Sequence, residues 1–376
     1  KRREAKLKDV KHGALVVNSL ENIHAYSPVV SPTDVISGTE EIEMVNTALQ
    51  NTNKVVENPV SSGIEVDYIY DLLSTVAGSE KDLKEKPPFT VSVSPMSPLK
   101  FDKGSTDALV KSAEKGLPTK VLPAPITGAT APVTFAGALA QQNAELLAGL
   151  TILQTVTPGL QTVLAPRLSV MDMRTSFVSW GTQELGRASA CAVQLINDYD
   201  LPSDVYGLSS DAKLMDQQQG YEKSVNGILP ALAGASFLSG AGGLESLKSC
   251  SLAQLVIDNE VFGMILDTVK GFEINEETIA LDVIDSVGPG GEFLREKHTA
   301  RFSRGGEQYE TTISNRDTWE KWITKGKKDV SKVAENKAKS ILEESEPVDM
   351  DQETKNELDR ILEESREYCR KQILKI

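Results

Sequence analysis

The hydrophobic and polar positions of the chain follow two alternating patterns. Short runs rich in β-branched residues lead into Pro-, Gly- or Ser-rich turns and then into longer amphipathic stretches rich in Ala and Leu. The short runs predict seven strands, at Asn22–Val30, Lys54–Asn58, Phe89–Ser94, Lys120–Ala124, Thr162–Ala165, Asp204–Leu208 and Ala235–Ser239. The longer stretches predict helices at Thr39–Gln50, Glu65–Ala77, Asp107–Lys115, Thr134–Gln154, Ser179–Tyr199, Asp216–Ala233 and Leu252–Lys270.

Alternation of strand and helix implies a parallel sheet, because each helix returns the chain to the end where the last strand began. Seven such units predict an α/β fold of the (β/α)8 TIM-barrel type. An open doubly wound sheet is the alternative, since periodicity does not report closure. The eighth unit is not visible: Glu276–Val287 has a helical pattern, which leaves Gly288–Phe302 or a segment ahead of Lys1.

Beyond the turn at Gly288–Gly291 the chain becomes strongly charged, and its apolar positions recur at helical spacing. Helices are predicted at Asp317–Trp322, Lys325–Glu344 and Thr354–Leu374. We therefore divide the chain into a barrel over residues 1–302, expected to lack an N-terminal portion, and a helical C-terminal extension over 303–376. The extension is expected to pack on the barrel or on a partner subunit, which makes a homo-oligomer an expectation as well.

Composition and charge narrow the class of protein. The 376 residues are 40% hydrophobic and 25% charged, as in globular proteins. The sequence has no apolar run of about 18 residues and no secretory signal, so we expect neither a membrane protein nor an exported one. The formal net charge of −14 disfavours nucleic acid as a partner.

Cysteine and histidine usage bears on compartment and metal. The three cysteines, Cys191, Cys250 and Cys369, are too far apart in the sequence for a Cys-x-x-Cys site and too few for a disulfide framework. This favours a reducing compartment and hence a cytoplasmic location. None of the three histidines has companions at metal-ligand spacing, so no tightly bound metal is expected.

Function in a barrel resides in the loops that follow the strands. After the fourth predicted strand come Gly128, Ala129 and Thr130, and after the seventh come Gly242 and Gly243. Such small residues allow a backbone to approach a bulky ligand closely. The alternative is a tight strand-to-helix turn in which small residues serve packing.

A methylated ammonium ion is held well by aromatic rings, soft thioethers and a counter-charge. Residues of these types cluster after the fifth predicted strand and at two other predicted strand ends. The resulting substrate-binding candidates are Tyr26, Asp172, Met173, Phe177, Trp180 and Tyr206. The alternative for each of them is ordinary core packing.

The loop after the sixth predicted strand supplies a carboxylate and an amine two residues apart, Asp211 and Lys213. If the strand continued that far, both side chains would lie on one face, and together they are the catalytic candidates. A solvent-screened ion pair is the alternative. Asp216 is predicted to cap the next helix.

Familiar catalytic signatures are missing from the sequence. It has no Gly-x-Ser-x-Gly elbow, no Gly-x-Gly-x-x-Gly fingerprint after a strand and no phosphate-binding Gly-x-x-x-x-Gly-Lys loop. Ordinary hydrolase and dehydrogenase chemistry is therefore disfavoured.

Several motifs extend over most of the chain from about residue 27. They are Gly128-Ala129-Thr130-Ala131-Pro132-Val133-Thr134, Asn143-Ala144-Glu145, Asp211-Ala212-Lys213, Asp216-x-Gln218-x-Gly220-Tyr221-Glu222, Val287-Gly288-Pro289-Gly290-Gly291-x-Phe293-Leu294 and His298-Thr299. In these motifs the chain resembles the trimethylamine methyltransferase family. Members of that family include pyrrolysine-containing trimethylamine enzymes and pyrrolysine-lacking relatives that act on glycine betaine and similar amines.

The resemblance implies a (β/α)8 barrel and a methyl transfer. The Co(I) corrinoid (cobalamin) of a separate, transiently docked partner protein would take the methyl group of a small methylated amine, giving methyl-Co(III) corrinoid and the demethylated amine. Pyrrolysine is not among the residues of the sequence, which favours a quaternary amine such as a betaine, with trimethylamine as the other substrate considered. The small residues at 128–130, 242 and 243 would then admit the corrin. Alternatives of other classes are a metal- or phosphate-dependent barrel lyase or isomerase, and a non-catalytic binding barrel.

Overall fold

A computed structural model describes residues 2–28 and 30–374 and gives the bounds of each element. The helices are α1 (Leu7–Asn18), α2 (Glu40–Leu49), α3 (Gly63–Ala77), α4 (Glu80–Glu85), α5 (Lys103–Lys115), α6 (Phe135–Val156), α7 (Gln183–Asn197), α8 (Gln217–Leu232), α9 (Leu252–Lys270), α10 (Glu276–Ile279), α11 (Leu281–Val287), α12 (Lys297–Arg304), α13 (Trp319–Thr324), α14 (Val330–Glu344) and α15 (Gln352–Ile373). The strands are β1 (Ala25–Tyr26), β2 (Val55–Pro59), β3 (Phe89–Val93), β4 (Thr119–Val121), β5 (Ile126–Thr127), β6 (Thr162–Leu164), β7 (Ser169–Asp172), β8 (Phe177–Ser179), β9 (Asp204–Tyr206), β10 (Phe237–Ser239), β11 (Gly243–Leu244) and β12 (Ser249–Cys250).

The predicted parallel sheet is confirmed, and its strand order excludes the doubly wound alternative. Strands β1, β2, β3, β4 and β6 pair in parallel in that order. A parallel bridge from Leu164 to Ser203 continues the sheet to β9, which pairs with β10. A doubly wound sheet reverses direction at a switch point, whereas this order follows the chain throughout.

A ring of eight helices surrounds the sheet, as in a TIM-type barrel. The helices α1, α2, α3, α5, α6, α7, α8 and α9 each pack on the next, and α9 packs on α1 to close the ring. The predicted fold class is therefore confirmed. Helix α1 was not predicted, although Val10, Ala14 and Val17 lie on its buried face.

The strand ring holds seven strands where the helix ring holds eight helices. Among the described residues, no strand pairs with both β10 and β1, and a cavity of about 870 Å³ in the barrel interior borders this position. Gly288–Phe302 contains turns and the start of α12 but no strand, so the prediction of an eighth unit there is wrong. The predicted strand Asn22–Val30 shortens to β1, and Val29 lies outside the described residues.

Polar caps account for the helix boundaries. The side chains of Ser62, Asp102 and Asp216 each accept a hydrogen bond from a backbone amide in the first turn of α3, α5 and α8, which confirms the predicted cap at Asp216. Gly78 and Gly116 end α3 and α5 in the left-handed conformation. No described helix has the length and apolar character that a membrane crossing requires.

The last two helices lie against the outside of the helix ring. Helix α14 packs on α9 and α1, and α15 packs on α2 and α3. Arg366 of α15 forms an ion pair with the buried Glu43 of α2, at 2.6 Å from Nε to Oε1. Ala334, Ala338, Leu358 and Ile361 form the apolar contact with the ring. Within one chain, the C-terminal helices thus cover the barrel.

Four charged side chains meet inside the barrel. Lys120 of β4 lies 2.6 Å from Asp204 of β9 and also donates to Glu57 of β2. Arg167, which follows β6, lies 2.9 Å from the second oxygen of Asp204. The side chains of Lys120, Arg167 and Asp204 are at most 6% exposed. We call Glu57, Lys120, Arg167 and Asp204 the lumen ion cluster; it is neutral overall and joins strands β2, β4 and β9 to the loop after β6.

Mutual attraction outweighs burial in this cluster. Burial would raise the pKa of Asp204, but the charges of Arg167 and Lys120 lower it to about 2. Burial would likewise lower the pKa of Lys120, yet Asp204 and Glu57 together raise it. The cluster is therefore charged at neutral pH, and each member depends on the others for compensation.

The depressed pKa of Asp204 gives an expected pH dependence. The folded state binds the proton less readily than the unfolded chain, so this stabilisation is complete above the ordinary pKa of 3.8 and is lost as the pH falls towards 2. We expect Asp204→Asn to unfold at lower urea concentration than the parent at pH 6. The difference between the urea midpoints of the two proteins should narrow steadily from pH 5 to about pH 2.

The control is Asp198→Asn, which changes an exposed aspartate at the end of α7. Its unfolding midpoint should follow the parent at every pH. If the urea midpoints of Asp204→Asn and the parent instead differ by the same amount at every pH down to 2, that result would show that the cluster does not hold Asp204 ionised.

Candidate active site

A small sheet covers the end of the barrel at which the strands finish. Strand β5, from the loop after β4, pairs in parallel with β7, and β7 pairs with β8 in a hairpin. Both loops are thereby held over the carboxyl ends of β4 and β6. We call this region, with the loops after β9 and β10, the mouth.

Asp211 is the centre of the hydrogen bonding at the mouth. Its Oδ1 accepts from the backbone amides of Trp180 at 3.0 Å and Gly181 at 3.1 Å. The hydroxyls of Ser179 and Ser246 also donate to its carboxylate. Because the carboxylate accepts hydrogen bonds from four donors on two other loops, it is suited to holding those loops in place. The geometry does not favour it as a proton shuttle.

The backbone that carries Asp211 is itself fixed by Glu222 of α8. The Glu222 carboxylate accepts from the Asp211 amide at 2.9 Å and from the Ser210 hydroxyl at 2.7 Å. Gln218 donates to its other oxygen at 2.8 Å. The motif residues 211, 218 and 222 thus form one orienting unit.

Lys213 does not share a face of a strand with Asp211, because β9 ends at Tyr206. Its ammonium group donates to the backbone carbonyl of Asp211 at 2.8 Å and lies 5.4 Å from the centre of the Phe177 ring. Lys248 lies 4.5 Å from the same ring. Two cationic side chains therefore converge on Phe177 at the mouth.

Lys248 is placed by an unusual turn between β11 and β12. Glu245, Ser246 and Leu247 all have positive φ, between 52° and 64°. Left-handed backbone costs about 1–2 kcal/mol for each residue that is not glycine. Amide hydrogen bonds of 2.8 Å from Glu245 and Ser246 to the carbonyls of Ala212 and Ser210 hold the turn against the Asp211 loop.

An aromatic stack connects the mouth to the lumen ion cluster. The guanidinium of Arg167 lies 4.3 Å from the centre of the Tyr206 ring, and Tyr206 meets Trp180 edge-to-face at 5.1 Å. Burial raises the pKa of Tyr206, although the charge of Arg167 opposes the shift. Trp180 and Tyr206 are thus brought together as predicted candidates, with one face of Tyr206 already covered by Arg167.

The remaining rim candidates form the tips of two loops. Gly128 has a φ of +82°, and a Cβ there would lie 3.2 Å from the sulfur of Met173. The Thr130 hydroxyl accepts from the Ile126 amide at 2.9 Å and closes the turn around the exposed Ala129. Asp172 accepts from the amide of Arg174 at 2.8 Å, which lowers the pKa of its carboxyl.

Tyr26 lies apart from the mouth candidates. Its side chain packs on α1, where its hydroxyl donates to the Val10 carbonyl at 2.8 Å and a Cβ on Gly13 would clash with it. Burial raises its pKa. The geometry gives Tyr26 a role in the core, and we leave it out of the proposed site.

Gly242 and Gly243 are buried against their own chain. A Cβ on Gly242 would lie 2.8 Å from Leu255, and one on Gly243 would lie 2.3 Å from Leu247. The Gly242 amide donates to Asp258, which forms a fully buried ion pair with Lys223 at 2.7 Å. Burial raises the pKa of Asp258 and lowers that of Lys223. The small residues here serve packing, so we also leave them out of the site.

Sequence reasoning missed several residues that hold the site together. Lys120, Asp204 and Glu57 are single charges within short apolar strands, a pattern that indicates buried and paired charges. Ser246 and Lys248 had no signal, because Glu-Ser-Leu is not a sequence that predicts a left-handed turn. The described residues contain no group of three or more His, Cys, Asp or Glu placed to hold a metal ion.

Comparison with known proteins shows the family of the chain. The family model described as trimethylamine methyltransferase (MTTB) matches residues 1–368. The chain belongs to the trimethylamine methyltransferase family. This confirms the resemblance drawn from the motifs and makes the chain a methyltransferase, which removes the lyase, isomerase and non-catalytic alternatives.

Over the aligned regions, curated relatives are about one-third identical to this family member. Trimethylamine methyltransferase MttB of Methanosarcina barkeri is 34% identical over 350 residues, which is 92% of this chain and 70% of that protein. A glycine betaine methyltransferase of Desulfitobacterium hafniense is 31% identical over 85% of this chain and 67% of that protein. A crystal structure of a hydroxylamine MtmB complex aligns over 97% of this chain and 69% of that chain with a TM-score of 0.49 and 13% identity.

The packing of Gly242 in this methyltransferase predicts that a side chain at this position destabilises the fold. Gly242→Ala combines a φ of +79° with a Cβ 2.8 Å from Leu255, so it should lower the free energy of unfolding by about 2–4 kcal/mol. Gly116→Ala is the matched control: its φ is +70°, but a Cβ there meets nothing within 4 Å. It should cost only about 1–2 kcal/mol.

The free energies come from urea unfolding of the parent, both single variants and Gly242→Ala/Leu255→Ala. Truncating Leu255 removes the clash, so the double variant should be more stable than the sum of the single changes predicts. Equal costs at positions 242 and 116, with no coupling to Leu255, would contradict the packing role.

Proposed function

We propose that the chain transfers a methyl group from a small quaternary amine, such as a betaine, to the Co(I) corrinoid of a partner protein. Family membership supports methyl transfer from a methylated amine. The observation that carries the finer proposal is the Asp211 carboxylate at the mouth, which accepts hydrogen bonds from four donors on two other loops. A quaternary amine leaves as a neutral amine, so its demethylation needs no general acid. A carboxylate that holds loops in place and transfers no proton is compatible with that chemistry.

The mouth also fits the two charges of a betaine. Lys213 and Lys248 lie within 5.4 Å and 4.5 Å of the Phe177 ring centre and would bind the carboxylate end. Trp180, held beside Tyr206, offers an aromatic ring to the ammonium end. Trimethylamine lacks the carboxylate, so it would gain nothing from the two lysines.

The exposed rim is where we propose that the partner's corrin approaches. Ala129 is exposed beside Gly128, and Met173 of the facing hairpin is 68% exposed. These side chains are small or flexible and leave the rim open to a flat group. Gly242 and Gly243 are buried and take no part.

These positions indicate what the chain and the corrinoid would each contribute to the reaction. A reduced corrinoid docked at the rim would supply the nucleophile for the methyl group. The chain orients the amine so that its C–N bond points towards the rim, and it excludes water from the bond being broken. The electron pair of that bond stays on nitrogen, and no proton moves. Asp211 acts by holding Trp180 and the Ser246 turn in place.

The test is methyl transfer to a reduced corrinoid protein, followed by the change in cobalt absorbance. We expect turnover with glycine betaine or a related betaine and little with trimethylamine. Lys213→Met keeps the stem of the side chain and removes its charge, so it should raise KM for the betaine about tenfold or more and leave kcat less affected. Lys270→Met, which removes an exposed cation at the end of α9 and away from the mouth, is the control and should match the parent.

Variants of Asp211 separate positioning from proton transfer. Asp211→Asn retains an acceptor for the Trp180 and Gly181 amides and should lose about tenfold or less in rate. Asp211→Ala removes all four bonds and should lose on the order of a hundredfold through misplacement of the loops. If Asn and Ala are equally inactive, Asp211 acts as an acid or base and a quaternary substrate is contradicted. If no betaine and no tertiary amine turns over, the proposed reaction is wrong.

A further inference from the structure

One face of helix α8 is polar and buried. Gln219, Glu222, Lys223 and Asn226 recur at spacings of three and four residues and so lie on one side of the helix. Gln219 is 6% exposed, and Lys223 and Asn226 are fully buried. The inward face of a ring helix is normally apolar, because a buried polar side chain is costly unless it is hydrogen-bonded. We call these four residues the α8 polar face, and their partners lie at the mouth.

Asn226 fixes the segment that carries Trp180. Its side-chain nitrogen donates to the Gly181 carbonyl at 3.1 Å, and its oxygen accepts from the Gly186 amide at 3.0 Å. Gly181 is also tightly surrounded, since a Cβ there would lie 2.4 Å from the backbone nitrogen of Asp211. The residue after Trp180 is thus held between α8 and the Asp211 loop, which leaves the Trp180 backbone little freedom.

The Lys223–Asp258 ion pair fixes a different loop. Asp258 of α9 accepts from Lys223 at 2.7 Å and from the Gly242 amide at 2.6 Å, and both charged side chains are fully buried. Gly242 begins a hairpin in which β11 pairs with β12, and its carbonyl accepts from the Ser251 amide at 3.0 Å where the hairpin ends. Lys248 lies within this hairpin. The ion pair therefore anchors the base of the hairpin that carries Lys248.

Among the hydrogen bonds of the described residues, these two anchors share none. Asn226 contacts the loop after β8 and the first turn of α7, whereas Lys223 contacts only α9. Asp258 also accepts from Gln254 at 2.8 Å, and Gln254 donates to Gln219 of the α8 polar face at 2.9 Å. Because the two anchors bind different loops, loosening one loop should leave the other in place.

We propose that the α8 polar face positions the two ends of the substrate site separately. Asn226 is the positioning residue for Trp180, whose ring receives the ammonium group. The Lys223–Asp258 pair positions Lys248, which receives the carboxylate. This inference rests on the proposed function, because that function assigns Trp180 and Lys248 to the two charges of a betaine. A ligand that carries only the ammonium charge should then depend on Asn226 alone.

The test compares two ligands in calorimetric titrations of the full chain. Glycine betaine carries both charges, whereas tetramethylammonium carries only the positive one. Asn226→Ala removes the bond to the Gly181 carbonyl, so it should weaken binding of both ligands about tenfold, as loss of an aligned aromatic contact with a cation does. Asn46→Ala on α2 also changes a buried asparagine, 5% exposed, and is the matched control. It should bind both ligands as the parent does.

The ion pair is removed as a unit, because a single change would leave a buried charge without its partner. Lys223→Met/Asp258→Leu deprives the Gly242 amide of its acceptor, so it should weaken binding of glycine betaine about tenfold and leave that of tetramethylammonium within about twofold of the parent. Lys223→Met/Asp258→Asn retains an acceptor oxygen and should recover most of the betaine binding. Glu43→Gln/Arg366→Met removes the ion pair between α2 and α15, and as the control it should leave binding of both ligands unchanged.

Circular dichroism checks that each variant is folded. If Asn226→Ala is not, Asn226→Ser, which places a shorter polar group there, takes its place with the same expected loss. Unchanged binding of tetramethylammonium by the folded variant of Asn226 would overturn the proposal. Equal loss of both ligands in Lys223→Met/Asp258→Leu would also overturn it. A parent that binds neither ligand would instead contradict the proposed function, and this inference with it.

Discussion

The ion cluster in the barrel lumen is the interaction on which the rest of the structure depends. Lys120 and Arg167 both contact Asp204, and Lys120 also contacts Glu57, so charges from distant parts of the chain compensate one another away from water. Removing any one of them would leave a buried charge without its partner, which typically costs several kcal/mol. The cluster thereby fixes β2, β4 and β9 relative to one another.

Arg167 links the ion cluster to the residues of the mouth. Its guanidinium binds Asp204 on one side and covers the Tyr206 ring on the other, and Tyr206 contacts Trp180. The Trp180 amide then donates to Asp211, which gathers the remaining loops. A site built in this way is rigid before substrate arrives, which suits a reaction whose main requirement is alignment.

Strands and helices whose apolar residues recur at a regular spacing could be predicted from the sequence. Features that depend on contacts between residues far apart in the chain could not. Six of the seven predicted strands match observed strands closely because short β-branched runs between helices are typical of barrels. The predicted helix Ser179–Tyr199 begins later, at Gln183, because Ser179 belongs to β8 and donates to Asp211. Helix α1 was missed, although its buried apolar residues recur at helical spacing.

The candidate site was harder to predict than the fold. Asp211, Phe177, Trp180 and Tyr206 do meet at the mouth, but a single sequence does not show that Asp211 accepts hydrogen bonds from four donors. Nor does it show that the glycine-rich stretch after β10 is small because Leu255 fills the space beside it. Both facts depend on residues more than ten positions away, which local patterns do not report.

Hydrogen exchange at the mouth in Arg167→Met is the most direct test of this dependence. Methionine keeps apolar volume but removes the link between Asp204 and Tyr206. We expect faster exchange of the Trp180 and Gly181 amides, with protection in α15 unchanged as the measure of global folding. Unchanged protection of those two amides in a folded Arg167→Met protein would contradict the claim that the lumen ion cluster organises the mouth.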